Sequence, residues 1–79
     1  MTDTQALVAQ AIRIQRVRAG ISSDAELARR VGMTPSALSK RLSGDLRLNL
    51  SEVERIAGAL GIEPFALLDL ARAEQAAAA

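Results

Sequence analysis

The chain has no cysteine, no histidine, no tryptophan and no tyrosine, and Phe65 is its only aromatic residue. Without cysteine there are no disulfides and no thiolate metal sites. Without histidine the commonest general base and the commonest zinc ligand are missing. The remaining carboxylates fall at predicted helix starts and on exposed faces, where capping and solubility account for them, so no catalysis is expected. One aromatic provides no stacking platform, which argues against single-stranded nucleic-acid binding. No apolar run reaches the ~18–20 residues that span a bilayer, and no signal-peptide pattern opens the chain. A soluble, cytoplasmic protein with no cofactor, metal, small-molecule ligand or membrane association is expected.

What the chain does have is 79 residues, enough for one domain, and a core that must be aliphatic. Its formal net charge of +1 hides an asymmetry. Residues 13–47 hold Arg13, Arg16, Arg18, Arg29, Arg30, Lys40, Arg41 and Arg47 against Asp24, Glu26 and Asp45, a local charge of +5. The rest of the chain carries −4. A basic middle with acidic flanks is the electrostatic outline of a protein that offers one face to a polyanion.

Apolar spacing is helical almost throughout, with no useful period-two segment, and predicts an all-α fold. Leu7, Ala11, Ile14, Val17 and Ile21 suggest the inward stripe of a helix over about 4–19, closed by Gly20. "SDAE" predicts a capping box between Ser23 and Glu26 at the start of a second helix, whose buried side is Leu27, Ala28 and Val31. Gly32 ends that helix. Thr34 and Pro35 suit the N-cap and first position of a third, with Leu38 and Leu42 inward and Gly44 as the stop. Two short helices joined by three or four residues form a helix-turn-helix. Asn49 and Glu52 predict a second capping box, with a Leu48–Val53 staple, and Val53, Ile56, Ala57 and Leu60 give the full i, i+3, i+4, i+7 pattern. A fifth helix starts at Pro64. Residues 1–73 are expected to form the domain, and 74–79, ending in "AAAA", a frayed tail.

"ELARRVGMTPSALSKRLSG" followed by "LNLSEVERIAGALGI" resembles the lambda repressor-like (Cro/CI-type, XRE-like) helix-turn-helix family over about residues 5–70. The resemblance implies a compact five-helix domain that binds double-stranded DNA, with the third helix in the major groove. Carried over onto this sequence, Pro35, Ser36, Ser39 and Lys40 would read base edges. Ser23, Asp24, Thr34, Arg41, Ser43, Arg47 and Asn49 would meet phosphate, helix N-termini being suited to anions. Two positions depart from the family pattern. Asp24 stands where a neutral amide is common, and its carboxylate would repel phosphate. Leu42 stands where an acid usually pairs with a helix-1 arginine, the position held here by Arg16. On this reading Arg13 and Arg16 have no internal partner, and Arg41 turns toward the DNA backbone.

The implied function is that of a transcriptional regulator, a phage- or prophage-type repressor that acts by occupying its operator; it would be nucleoid-associated in a bacterial cell. The chain leaves no room for an effector domain, and occupancy needs none. The alternative is the antitoxin of a toxin–antitoxin pair that autoregulates its operon, for which only the alanine-rich tail could serve as the partner segment. A protein-interaction module on the same fold would not need the basic centre. One helix-turn-helix reads few base pairs, so a homodimer on a palindromic operator is expected. Phe65, Leu67, Leu68, Leu70 and Ala71 on the fifth helix are more apolar positions than one core stripe requires and form the candidate dimer surface.

Overall fold

A computed structural model describes residues 3–78. The elements are α1 (Thr4–Arg18), α2 (Asp24–Arg30), α3 (Pro35–Ser43), α4 (Leu50–Leu60) and α5 (Pro64–Ala78). The described residues form helices and connectors only, in the all-α arrangement expected. Leu7, Val8, Ala11 and Ile12 line the buried face of α1, which packs most extensively on α5; α2 packs mainly on α3. Ile12, Leu27, Leu38, Ile56 and Leu67, one from each helix, are fully buried at the centre. Each contributes about 1.5–3 kcal/mol relative to exposure.

The inward stripe of α1 differs from the sequence expectation. Leu7, Ala11 and Ile21 are buried, Ile14 is half-buried, and Val17 is 65% exposed. A straight helix drifts off a fixed seam, so the buried face runs through Leu7, Val8, Ala11 and Ile12 and Val17 falls outside it. Gly20, at φ 75°, then reverses the chain and returns Ile21 to the core.

The local signals for α2, α3 and α4 were legible. Ser23 caps α2, Thr34 caps α3 with Pro35 in its first turn, and Asn49 caps α4 in a complete capping box with Glu52. The box at α2 is only half formed. Ser23 accepts from the Glu26 amide, but the Glu26 carboxylate turns to Arg29 and Arg30 instead of reaching back. Leu48, the outer half of the expected staple, is partly buried against the core that contains Val53.

Helix α5 corrects the dimer reading in part. Leu67 is fully buried and Ala71 nearly so, which commits both to the monomer core and removes them from any surface between copies. Leu68 and Leu70 are half-buried, and Phe65 is 71% exposed. The helix also continues through residues 74–78, where fraying was expected, in line with the high helix propensity of alanine. Ala79 lies outside the described residues, as do residues 1 and 2.

Candidate nucleic-acid interface

The face of α3 follows from its two anchors. Leu38 and Leu42 are 0% and 5% exposed, so residues on the other side of the helix must point outward. Ser36, Ser39, Lys40 and Ser43, spaced at helical intervals along that side, are all exposed, as are Thr34 and Pro35 at its start. Thr34 Oγ1 accepts from the Ala37 amide at 3.1 Å, fixing the first turn. Ser43 Oγ donates to the Lys40 carbonyl at 3.1 Å. The turn from α2 is closed by Gly32 at φ 76° and by the Met33 amide donating to the Ala28 carbonyl at 2.9 Å. Ala28 is itself fully buried, and its small side chain permits the close approach of α3.

Behind α3, the segment 44–49 carries Arg47 and leads to the α4 N-terminus. Gly44, at φ 91°, ends α3. Arg47 and Asn49 are exposed. Asn49 Oδ1 accepts from the Glu52 amide at 2.8 Å, and Glu52 Oε1 accepts from the Asn49 amide at 3.0 Å.

Three site readings change on this geometry. Arg41 does not project freely: its Nε donates to Glu52 Oε2 at 2.7 Å and its Nη1 to the Ala37 carbonyl at 2.8 Å. Glu52 is 5% exposed, and a carboxylate so buried must be paired. Arg16 is not unpartnered either. Its Nη1 donates to the Ile21 carbonyl at 2.8 Å, and its Nε lies 3.0 Å from Asp24 Oδ1, an ion-pair distance with off-line hydrogen-bond geometry. Arg13 Nε approaches the same carboxylate at 3.5 Å. The internal ion pair that Leu42 was expected to abolish is thus made with an acid from α2. Asp24 is turned toward these two arginines, so its charge is offset rather than presented bare to a phosphate.

These pairings redraw the electrostatics. Five of the eight basic residues between 13 and 47 face a carboxylate: Arg13 and Arg16 at Asp24, Arg29 and Arg30 at Glu26, Arg41 at Glu52. Lys40 on α3 and Arg47 just beyond it have no carboxylate partner among the described residues. The Arg29 guanidinium, hydrogen-bonded to Glu26 and aided by Arg30, holds the Glu26 carboxyl below its usual range.

Sequence reasoning missed two groups. Gln5 bridges α1 to the segment after α3: Nε2 donates to the carbonyls of Arg41 (2.9 Å) and Leu46 (2.6 Å), while Oε1 accepts from the Leu48 amide (3.3 Å). Arg55 Nη1 donates to the Val31 carbonyl at 3.1 Å, tying α4 to the end of α2. Among the described residues no acidic cluster could hold a metal ion, and no helix is long and apolar enough to cross a membrane.

The HTH_3 helix-turn-helix profile matches residues 12–67. The crystal structure of a hypothetical transcription factor, NHTF from Neisseria, is similar to this one with a TM-score of 0.76 and 35% sequence identity. The similarity covers 84% of this chain and 75% of that one. Among curated proteins, none matches.

Proposed function

Because the chain belongs to the HTH_3 helix-turn-helix family and is a DNA-binding transcriptional regulator, we propose that it is a repressor of phage or prophage type. It acts by occupying a roughly palindromic operator as a homodimer. The observation that carries this reading is the exposed row Ser36, Ser39, Lys40 and Ser43, opposite the buried Leu38 and Leu42. In the major groove, Ser36 and Ser39 can donate to or accept from base edges, and Lys40 can donate to guanine O6 and N7. Pro35 offers an apolar contact for a thymine methyl. Arg47, Ser43 and the α4 N-terminus at Asn49 face the backbone, and Thr34 and Ser23 combine capping with proximity to phosphate.

The dimer surface that fits the burial pattern is smaller than all of α5. Phe65 (71% exposed) and Leu50 (74% exposed) stand over a groove lined also by Val53, Pro64 and Leu68, with Glu54 at its edge. Pairing two copies there would withdraw the largest exposed apolar side chains from water. Two-fold pairing with recognition helices about 34 Å apart reads one operator turn.

The test is selection of duplexes from a random pool, footprinting on the chain's own upstream region, and sedimentation. A palindromic consensus bound by a dimer, with Ser36→Ala and Lys40→Ala each losing about 1–3 kcal/mol on that site and much less on random DNA, is the expected result. Phe65→Asp should leave a folded monomer with reduced operator affinity. A monomer that binds a single half-site at full affinity would overturn the dimer, and binding to random and selected duplexes alike would overturn operator reading.

A further inference from the structure

The side chains that hold segment 44–49 come from three helices and converge on one arginine. Arg41 on α3 spans the Ala37 carbonyl and the Glu52 carboxylate; Glu52 on α4 uses its second oxygen to close the Asn49 capping box. Gln5 on α1 takes the Arg41 carbonyl and two backbone groups of the segment itself, the Leu46 carbonyl and the Leu48 amide. The backbone adds two bonds, from the Gly44 amide to the Arg41 carbonyl (3.2 Å) and from the Leu46 amide to the Lys40 carbonyl (3.1 Å).

We propose that Arg41 and Gln5 are positioning residues for DNA binding: they fix the α4 N-terminus and Arg47 relative to the outward face of α3, so that base reading and backbone contact fall on one duplex. The proposal rests on the DNA-binding reading above and goes beyond it. The Arg41 side chain touches both α3 and the α4 capping box, and its charge is spent on Glu52, so it supplies register rather than net attraction. Lysine cannot replace it, because one ammonium on a flexible stem does not reproduce the two separately aimed guanidinium nitrogens. Gln5 is neutral and does the same from the opposite side.

Two mechanisms predict opposite signs. If Arg41 worked as a phosphate contact, Arg41→Lys would keep most of the affinity, Arg41→Ala would make the log-affinity against log-salt slope shallower by about one, and Glu52→Gln, which removes a negative charge, would tighten binding. A positioning role predicts that Arg41→Lys and Glu52→Gln each weaken binding to a wild-type-selected duplex by about tenfold, the worth of one charge-assisted hydrogen bond, with the salt slope unchanged. The double variant would then lose little more than either single one, because the two share one interaction.

The experiment measures affinity and salt slope for wild type, Arg41→Lys, Glu52→Gln, their combination and Gln5→Ala, each shown to be folded by its thermal melt. Amide hydrogen exchange at Leu46 and Leu48 is measured in the absence of DNA. Gln5→Ala keeps the question decidable if Glu52→Gln does not fold, since it alters no charge. Weaker binding with an unchanged slope, and faster exchange at Leu46 and Leu48, is the expected result. Tighter binding by Glu52→Gln, full retention by Arg41→Lys, or exchange in Gln5→Ala equal to wild type would overturn the proposal. Wild-type protein that binds no duplex at any salt would instead sink the DNA-binding reading, a separate outcome seen before any variant is compared.

Discussion

Helix α3 is held at its two ends by different physics. In front, the turn from α2 is short and fixed by the backbone: Gly32 in the left-handed region, the Met33 amide on the Ala28 carbonyl, and Thr34 capping α3. Behind, the segment from Gly44 to Asn49 is longer and, besides two backbone bonds, is held by side chains that arrive from α1, α3 and α4. A backbone-fixed turn sets the angle between two consecutive helices. A segment clamped by side chains ties together helices far apart in sequence, and any one polar substitution can loosen it.

That contrast can be broken most forcefully at the rear. Arg41→Ala leaves the Glu52 carboxylate buried without its partner and should cost about 3 kcal/mol in equilibrium denaturation. A loss under about 1 kcal/mol would mean that solvent already screens the pair. The glycines come next. Gly32 and Gly44 both have positive φ with nothing within 4 Å of an added Cβ, so alanine at either meets only torsional strain of about 1–2 kcal/mol. Gly58, inside α4 and equally open, should instead gain about 0.5–1 kcal/mol as alanine. Equal effects at Gly58 and Gly32 would show that local torsion does not control the front turn.

Thr34→Ala, removing the cap alone, should cost about 1 kcal/mol, against the larger loss at Arg41. The smallest effect belongs to the exposed front side of α2. Because Arg29 and Arg30 lower the Glu26 pKa in the folded protein, this pair stabilises the fold above the usual carboxylate range. The contribution is lost as pH falls through the lowered folded value. Glu26→Gln should flatten that part of the acid-stability profile, and added salt should shrink the difference; a profile unchanged by the substitution would remove the pair from the account.

The same contrast explains what was legible in the sequence. Glycine, proline and capping residues announce backbone-fixed features at fixed offsets, so the helix ends near Gly32, Thr34, Gly44 and Asn49 could be located. Gln5, by contrast, acts across 36 to 43 residues of separation, and a polar side chain reaching that far leaves no periodic trace. Arg41 takes its acid from Glu52 on α4 and Arg16 takes its acid from Asp24 on α2, so the acid absent at Leu42 is replaced by two others that no local spacing announces. Helix α5 carries apolar residues at 65, 67, 68, 70 and 71, which fits two inward faces equally well by periodicity; packing against α1 chose the one through Leu67 and Ala71.

The position of Phe65 has a spectroscopic consequence. The only aromatic ring in the molecule stands outside a core made wholly of aliphatic side chains and alanine. Folding therefore barely alters the surroundings of the aromatic chromophore, and near-ultraviolet dichroism should be almost blind to the unfolding transition. The high-field methyl resonances that ring currents produce in most small domains should be absent from the interior as well. Contact between copies at Leu50 and Phe65 would change both at once, so the phenylalanine signal reports on association, with folding followed separately through the backbone.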